Sequence, residues 1–145
     1  MELILRATTL EDLPILFEHQ RDPVANEMAA FPARDWEAFV ANDAKIRADP
    51  TAIRRTVVVD GDVVGSIGCW GEDERDVGYW FDRTTCGRGI GTAALRAFLE
   101  EVTERPLWAH VWVENVGSIK VLERCGFVEV GRETTDVEEI IYRLP

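Results

Sequence analysis

Apolar and polar positions along the chain change period several times, and each change marks an element. Leu3 and Leu5, in a partly apolar start, predict a short strand. Thr9 or Asp12 can then cap a helix that tolerates Pro14 in its opening turn and gathers Leu13, Leu16 and Phe17 on one side. A second helix is predicted from Asp35, with Trp36, Phe39 and Val40 as its apolar face and Asp49-Pro50 as its stop. Residues 56–59 and 63–67 read as strands around Asp60-Gly61, a dipeptide whose tolerance of positive φ makes a hairpin turn. Beyond the acidic turn Glu72-Asp73-Glu74, residues 77–81 complete an antiparallel run of three strands.

The second half alternates helix and strand. Ala94, Leu95, Phe98, Leu99 and Val102 recur at helical spacing over residues 91–102, and Pro106 marks the exit. Residues 107–113 alternate as a strand, residues 118–125 read as a helix, and Gly126 terminates it in positive φ. Residues 127–130 and 139–143 supply the last strands. The 145 residues suffice for one core but not two, and no repeat or linker interrupts them. The expectation is a single mixed α/β domain over residues 1–145.

Composition narrows the function. With 46% hydrophobic and 30% charged residues the chain is globular rather than disordered, and no stretch has the length of a membrane span. The start Met1-Glu2-Leu3 does not match a secretory signal, so a cytoplasmic protein is expected. Three cysteines without CxxC spacing suggest neither a disulfide framework nor a metal site. A net charge of −11 opposes association with nucleic acid or anionic membrane and suits a cationic partner.

The densest chemical signal is Gly87-Arg88-Gly89-Ile90-Gly91-Thr92, between a strand and a helix. Glycines on alternate positions let a ligand approach backbone N–H groups, and the helix N-terminus adds about half a positive charge. Arg88 or Arg83 can add a full one. A P-loop is excluded because no Lys-Ser or Lys-Thr pair follows the glycines. The segment Gly89-Ile90-Gly91-Thr92-Ala93-Ala94 does satisfy a dinucleotide fingerprint, but it follows three strands and leaves too little chain for the remaining βαβ units. Alone, such a turn serves packing as readily as phosphate binding.

Downstream lies Glu114-Asn115-Val116-Gly117-Ser118-Ile119-Lys120-Val121-Leu122-Glu123-Arg124-Cys125-Gly126-Phe127. With Gly78-Tyr79-Trp80 and the glycine loop, this segment resembles the GNAT N-acetyltransferase superfamily, in particular the branch that acetylates ribosomal-protein N-termini. The resemblance spans essentially the whole chain. It implies a mostly antiparallel sheet splayed between its fourth and fifth strands, residues 76–82 and 107–113, flanked by about four helices. It further implies acetyl-CoA as co-substrate and a primary amine as acceptor, a protein N-terminus or a small cationic amine. Tyr79, Trp80 and Phe81 would offer backbone to the pantetheine, which pairs like an added strand. Gly87, Arg88, Gly89, Ile90, Gly91 and Thr92 would wrap the diphosphate. Asn115 would bond the pantetheine arm, or merely cap its helix, and Ser118 would lie near the sulfur.

Two positions depart from the family pattern. Cys86 stands where many members carry Gln or Arg, and Leu122 where many carry a tyrosine thought to protonate the departing thiolate. For catalysis His110 is the first candidate base, since an imidazole of ordinary pKa about 6.5 suits proton removal; the competing reading is a hydrogen-bonded core residue. Glu72, Glu74 and Asp76 are alternative bases acting through water. Ser118 is the candidate support for the thiolate. A base matters most for a lysine-like amine, unprotonated in roughly one molecule in 2,500 at pH 7, and far less for an α-amine of pKa about 8. Direct attack in a ternary complex is expected, the alternative being a non-catalytic acyl-CoA-binding domain. Residues 20–35 and 71–76 are expected to shape the acceptor site. The final strand, taken as a sheet edge, permits a homodimer.

Overall fold

A computed structural model describes all residues, Met1–Pro145. Seven strands form one sheet: β1 (Leu3–Ala7), β2 (Ile53–Val59), β3 (Asp62–Trp70), β4 (Asp76–Phe81), β5 (Leu107–Trp112), β6 (Val128–Thr134) and β7 (Glu138–Leu144). Their order is β1-β2-β3-β4-β5-β7-β6. Every neighbouring pair is antiparallel except β4 with β5, which run parallel and meet only at Asp76 and Trp108. Beyond that rung the two strands diverge, which is the splay the resemblance implies.

Five helices flank the sheet: α1 (Leu13–Gln20), α2 (Pro23–Ala29), α3 (Trp36–Ala48), α4 (Ile90–Glu101) and α5 (Val116–Arg124). Of these α2 departs from the expected four. Its signal is a cap rather than a pattern: Asp22 accepts from the amide of Val24 and Pro23 opens the helix, but none of its residues is buried. No helix is long and apolar enough to cross a membrane.

Strand alternation sorts the sheet into two faces. Val57, Ile67, Cys69, Val77, Leu107, Ala109, Val111, Ile140 and Tyr142 form one core with Ile90, Leu95 and Phe98 of α4 and Leu122 of α5. At about 25 cal/mol per Å² of apolar area, burial on this scale is the main force closing the domain. The opposite face carries α1 and α3 over the β2–β4 half, and Leu13 and Leu16 of α1 are buried there as the spacing predicts.

In α3 the expected apolar face turns outward: Trp36 and Val40 are exposed, and the one buried residue is Asp43. Asp43 binds Arg54 of β2 and Arg47 one turn on, so charge docks this helix. Trp36 and Phe39 pack instead on Phe17 of α1, with ring centroids 5.2 and 5.5 Å away. The final strand also differs from expectation. β7 lies inside the sheet between β5 and β6, so the edge is β6, and the route to a dimer through the last strand is closed.

Candidate active site

Parallel pairing that fails after one rung leaves a V between β4 and β5, and both strands run toward its mouth. Each is followed by a helix, so the N-termini of α4 and α5 converge where the V opens. A cleft of about 730 Å³ runs through this region. Tyr79, Trp80, His110, Asn115, Ser118 and Leu122 line it together with residues of α1 and α3.

The glycine loop does not line that cleft; it lies beyond β4 at the start of α4. Gly87 and Gly89 have φ of +77° and +75°, the left-handed region that side chains disfavour, and the space beside both is open. Because the helix cap is Gly89, no side chain satisfies the amides of Ile90, Gly91 and Thr92, the first turn of α4. That arrangement offers donors and dipole to an anion. Ile90 contributes only backbone, since its side chain is fully buried in the core, and the Thr92 side chain is buried as well. Arg88 is exposed, whereas Arg83 bonds Asp22.

On β4 the side chains part company. Trp80 donates from Nε1 to the His19 carbonyl and packs against Phe31, so it belongs to the α1–α2 side. Tyr79 and Phe81 point to the α4–α5 side, 5.4 Å apart between centroids. Asn115 is the cap of α5, accepting from the Ser118 amide at 3.3 Å. Ser118 meets the Tyr79 hydroxyl at 2.7 Å. Leu122 is buried in the core.

His110 is not a core residue. It points away from the core with Trp108 and Trp112, its side chain 27% exposed. Its Nδ1 lies 3.3 Å from Asp76 Oδ1 and its Nε2 3.8 Å from Glu133 Oε1. The first contact is poorly aligned for a hydrogen bond, so the buried Asp76 Oδ1 has no donor. Burial raises the Asp76 carboxyl above its ordinary range, against the pull of His110, and Glu74 and Glu133 push it the same way. Glu74, Asp76 and His110 bring one ligand-capable atom each within 4.8 Å of one another. Glu72 is not in that group. Sequence reasoning missed Glu133, which reaches His110 because β6 pairs with β7 and β7 with β5.

It also missed His19, which lines the cleft from α1. Burial lowers its imidazole pKa and Asp82, 3.9 Å away, opposes the shift only in part. Trp70 is a further unforeseen wall. Its indole lies across Gly78 so closely that a Cβ there would fall 2.7 Å from Cη2.

A family model described as an acetyltransferase (GNAT) domain matches residues 2–128. No curated protein matches the chain in sequence. Among solved structures, aminoglycoside acetyltransferase AAC(6')-Ib in complex with coenzyme A is 20% identical with a TM-score of 0.81, covering 98% of this chain and 94% of that one. RimJ from Mycobacterium smegmatis, in complex with CoA-disulfide, is 20% identical with a TM-score of 0.78, covering 97% and 80%. Spermidine N-acetyltransferase from Vibrio cholerae, in complex with CoA and spermine, is 17% identical with a TM-score of 0.79, covering 97% and 92%.

Proposed function

The chain belongs to the GNAT acetyltransferase domain family, and from that premise we propose that it transfers the acetyl group of acetyl-CoA to a primary amine bound in the Trp-lined cleft. The observation that carries this reading is the splay: the sheet opens above the Asp76–Trp108 rung, where two helix N-termini converge and a titratable group stands near the floor. The uncapped amides of α4 suit the diphosphate, and the unpaired edge of β4 suits the pantetheine amides. The neighbours solved with coenzyme A or CoA-disulfide support that placement.

The acceptor enters from the opposite side. Its walls are Trp70, Trp80 and Trp112; Asp76 and Glu139 line it near His110, while Arg34, Lys45, Asp49 and Arg54 line it toward α3 and β2. With Glu74 and Glu133 also close to His110, the strand end favours a cationic amine, and indole faces add attraction to it. Relatives solved with kanamycin or spermine agree with an amine-bearing acceptor. The same carboxylates hold the ammonium proton, so attack needs a base. His110, between Asp76 and Glu133, receives the proton directly or through water, and the raised proton affinity of Asp76 lets it share that role.

The nitrogen then attacks the thioester carbon within the ternary complex, with Ser118 beside the sulfur. Calorimetry with acetyl-CoA and thiol release across a panel of polyamines, aminoglycosides and peptide N-termini test this reading. Absence of CoA binding at millimolar concentration sinks it; binding without turnover on any amine makes the chain an acyl-CoA-binding domain instead.

A further inference from the structure

Tyr79 crosses the cleft from β4 to the first turn of α5, where its hydroxyl lies 2.7 Å from Ser118 Oγ and 3.4 Å from the Ser118 carbonyl oxygen. The shorter contact is of hydrogen-bond length whichever oxygen donates. Leu122, one turn further along α5, is an apolar core residue and supplies no hydrogen to the cleft. Asn115 uses its side-chain oxygen to cap the helix. The side-chain hydrogen bond between β4 and α5 is therefore this tyrosine–serine pair.

We propose that Tyr79 is a positioning residue for acetyl transfer: by donating to Ser118 Oγ it turns the serine O–H toward the thioester sulfur, and the pair holds the charge of the departing thiolate. This rests on the transfer reading above. In the step, the amine lone pair forms the C–N bond at the carbonyl carbon and the C–S bond breaks with its electron pair on sulfur. The proton lost by nitrogen passes to the base and on to solvent, and the thiolate later takes one from solvent. Tyr79 and Ser118 keep their protons throughout. Burial has pushed the Tyr79 phenol up to about 12, and a thiolate whose thiol has an ordinary pKa of about 8.5 cannot take a proton from it except against a factor of more than a thousand. Hydrogen bonding, not proton transfer, is what the pair can supply.

A double-mutant cycle tests this with Tyr79→Phe, Ser118→Ala and the combination. Tyr79→Phe is expected to lower kcat about fivefold, the worth of one neutral hydrogen bond, with unchanged acetyl-CoA affinity by calorimetry and a Tm lower by no more than about 4 °C. Ser118→Ala should lower kcat further, and the combined variant should be no slower than Ser118→Ala alone. An additive loss in the combined variant, an unchanged kcat for Tyr79→Phe, or a raised KM for acetyl-CoA at constant kcat each overturns the positioning role. Wild-type protein that binds acetyl-CoA but releases no thiol overturns the transfer reading itself.

Discussion

Replacing Asp43 with alanine removes the contact that docks α3. The carboxylate is 6% exposed and is shared by Arg54, 17% exposed on β2, and Arg47, 40% exposed on α3 itself. Arg47 can turn to water and lose little, since an exposed i,i+4 pair is worth about 0.3–0.5 kcal/mol. Arg54 cannot. Stripped of its partner beneath the helix it becomes an uncompensated, mostly buried charge, which costs about 3 kcal/mol. For a domain of this size that is a fall in Tm of about 10 °C.

The pH dependence carries an independent signature. Burial alone would raise the Asp43 pKa, but hydrogen bonds from Arg47 and Arg54 outweigh it and the net shift is downward. A depressed folded-state pKa adds stability that is complete above the unfolded value, about 3.9, and is lost as pH falls through the folded one. The gap between wild type and Asp43→Ala should therefore be full at pH 6 and shrink below about pH 3.9. Chemical denaturation of wild type, Asp43→Ala and Arg47→Ala at pH 6 and at pH 3 measures both effects. Equal losses for Asp43→Ala and Arg47→Ala, or a loss for Asp43→Ala under about 1 kcal/mol, would refute charge docking of this helix.

Three further outcomes are expected. Gly65→Ala should destabilise by at least about 2 kcal/mol in denaturant titration, because its Cβ would fall 2.4 Å from the Trp80 carbonyl oxygen, a backbone atom that cannot yield alone. Gly89→Ala should cost only about 1 kcal/mol, from its φ of +75° rather than from crowding, yet weaken acetyl-CoA binding in calorimetry by disturbing the first turn of α4. Asp76→Asn should lower kcat/KM: in wild type the acid limb of the pH profile should lie above the ordinary carboxylate range, since burial raises Asp76, and in the variant that contribution should vanish. An unchanged profile would remove Asp76 from proton transfer.

Elements with a strong local signal were legible before the structure. The Asp60-Gly61 hairpin, the periodic α4 and the buried Leu13 and Leu16 of α1 each rest on residues a few positions apart. The misreadings share a cause. Trp36, Phe39 and Val40 mark the apolar side of α3 in the sequence, but the helix faces the sheet with Asp43, whose partner Arg54 lies eleven residues away on β2. Helix α2 buries nothing and so imposes no period. The site divided similarly. Its glycine loop and the Asn115–Ser118 turn are short motifs, whereas Tyr79–Ser118 and His110–Glu133 are meetings across 39 and 23 positions, the first made by the packing of α5 on β4 and the second by strand order. The placement of β7 inside the sheet is the same kind of fact: a seven-residue strand carries no mark of which neighbours it will have.

The single rung between β4 and β5 has a kinetic consequence. Above it, amide hydrogens on the facing edges lack the ladder partners that slow exchange with solvent elsewhere in the sheet. A pantetheine seated there would supply those partners, so loading and release of the cofactor amount to making and breaking part of a β-sheet on every turnover. Product release would then be a small unfolding event, and hydrogen exchange at residues 77–81 should slow on loading and recover on release.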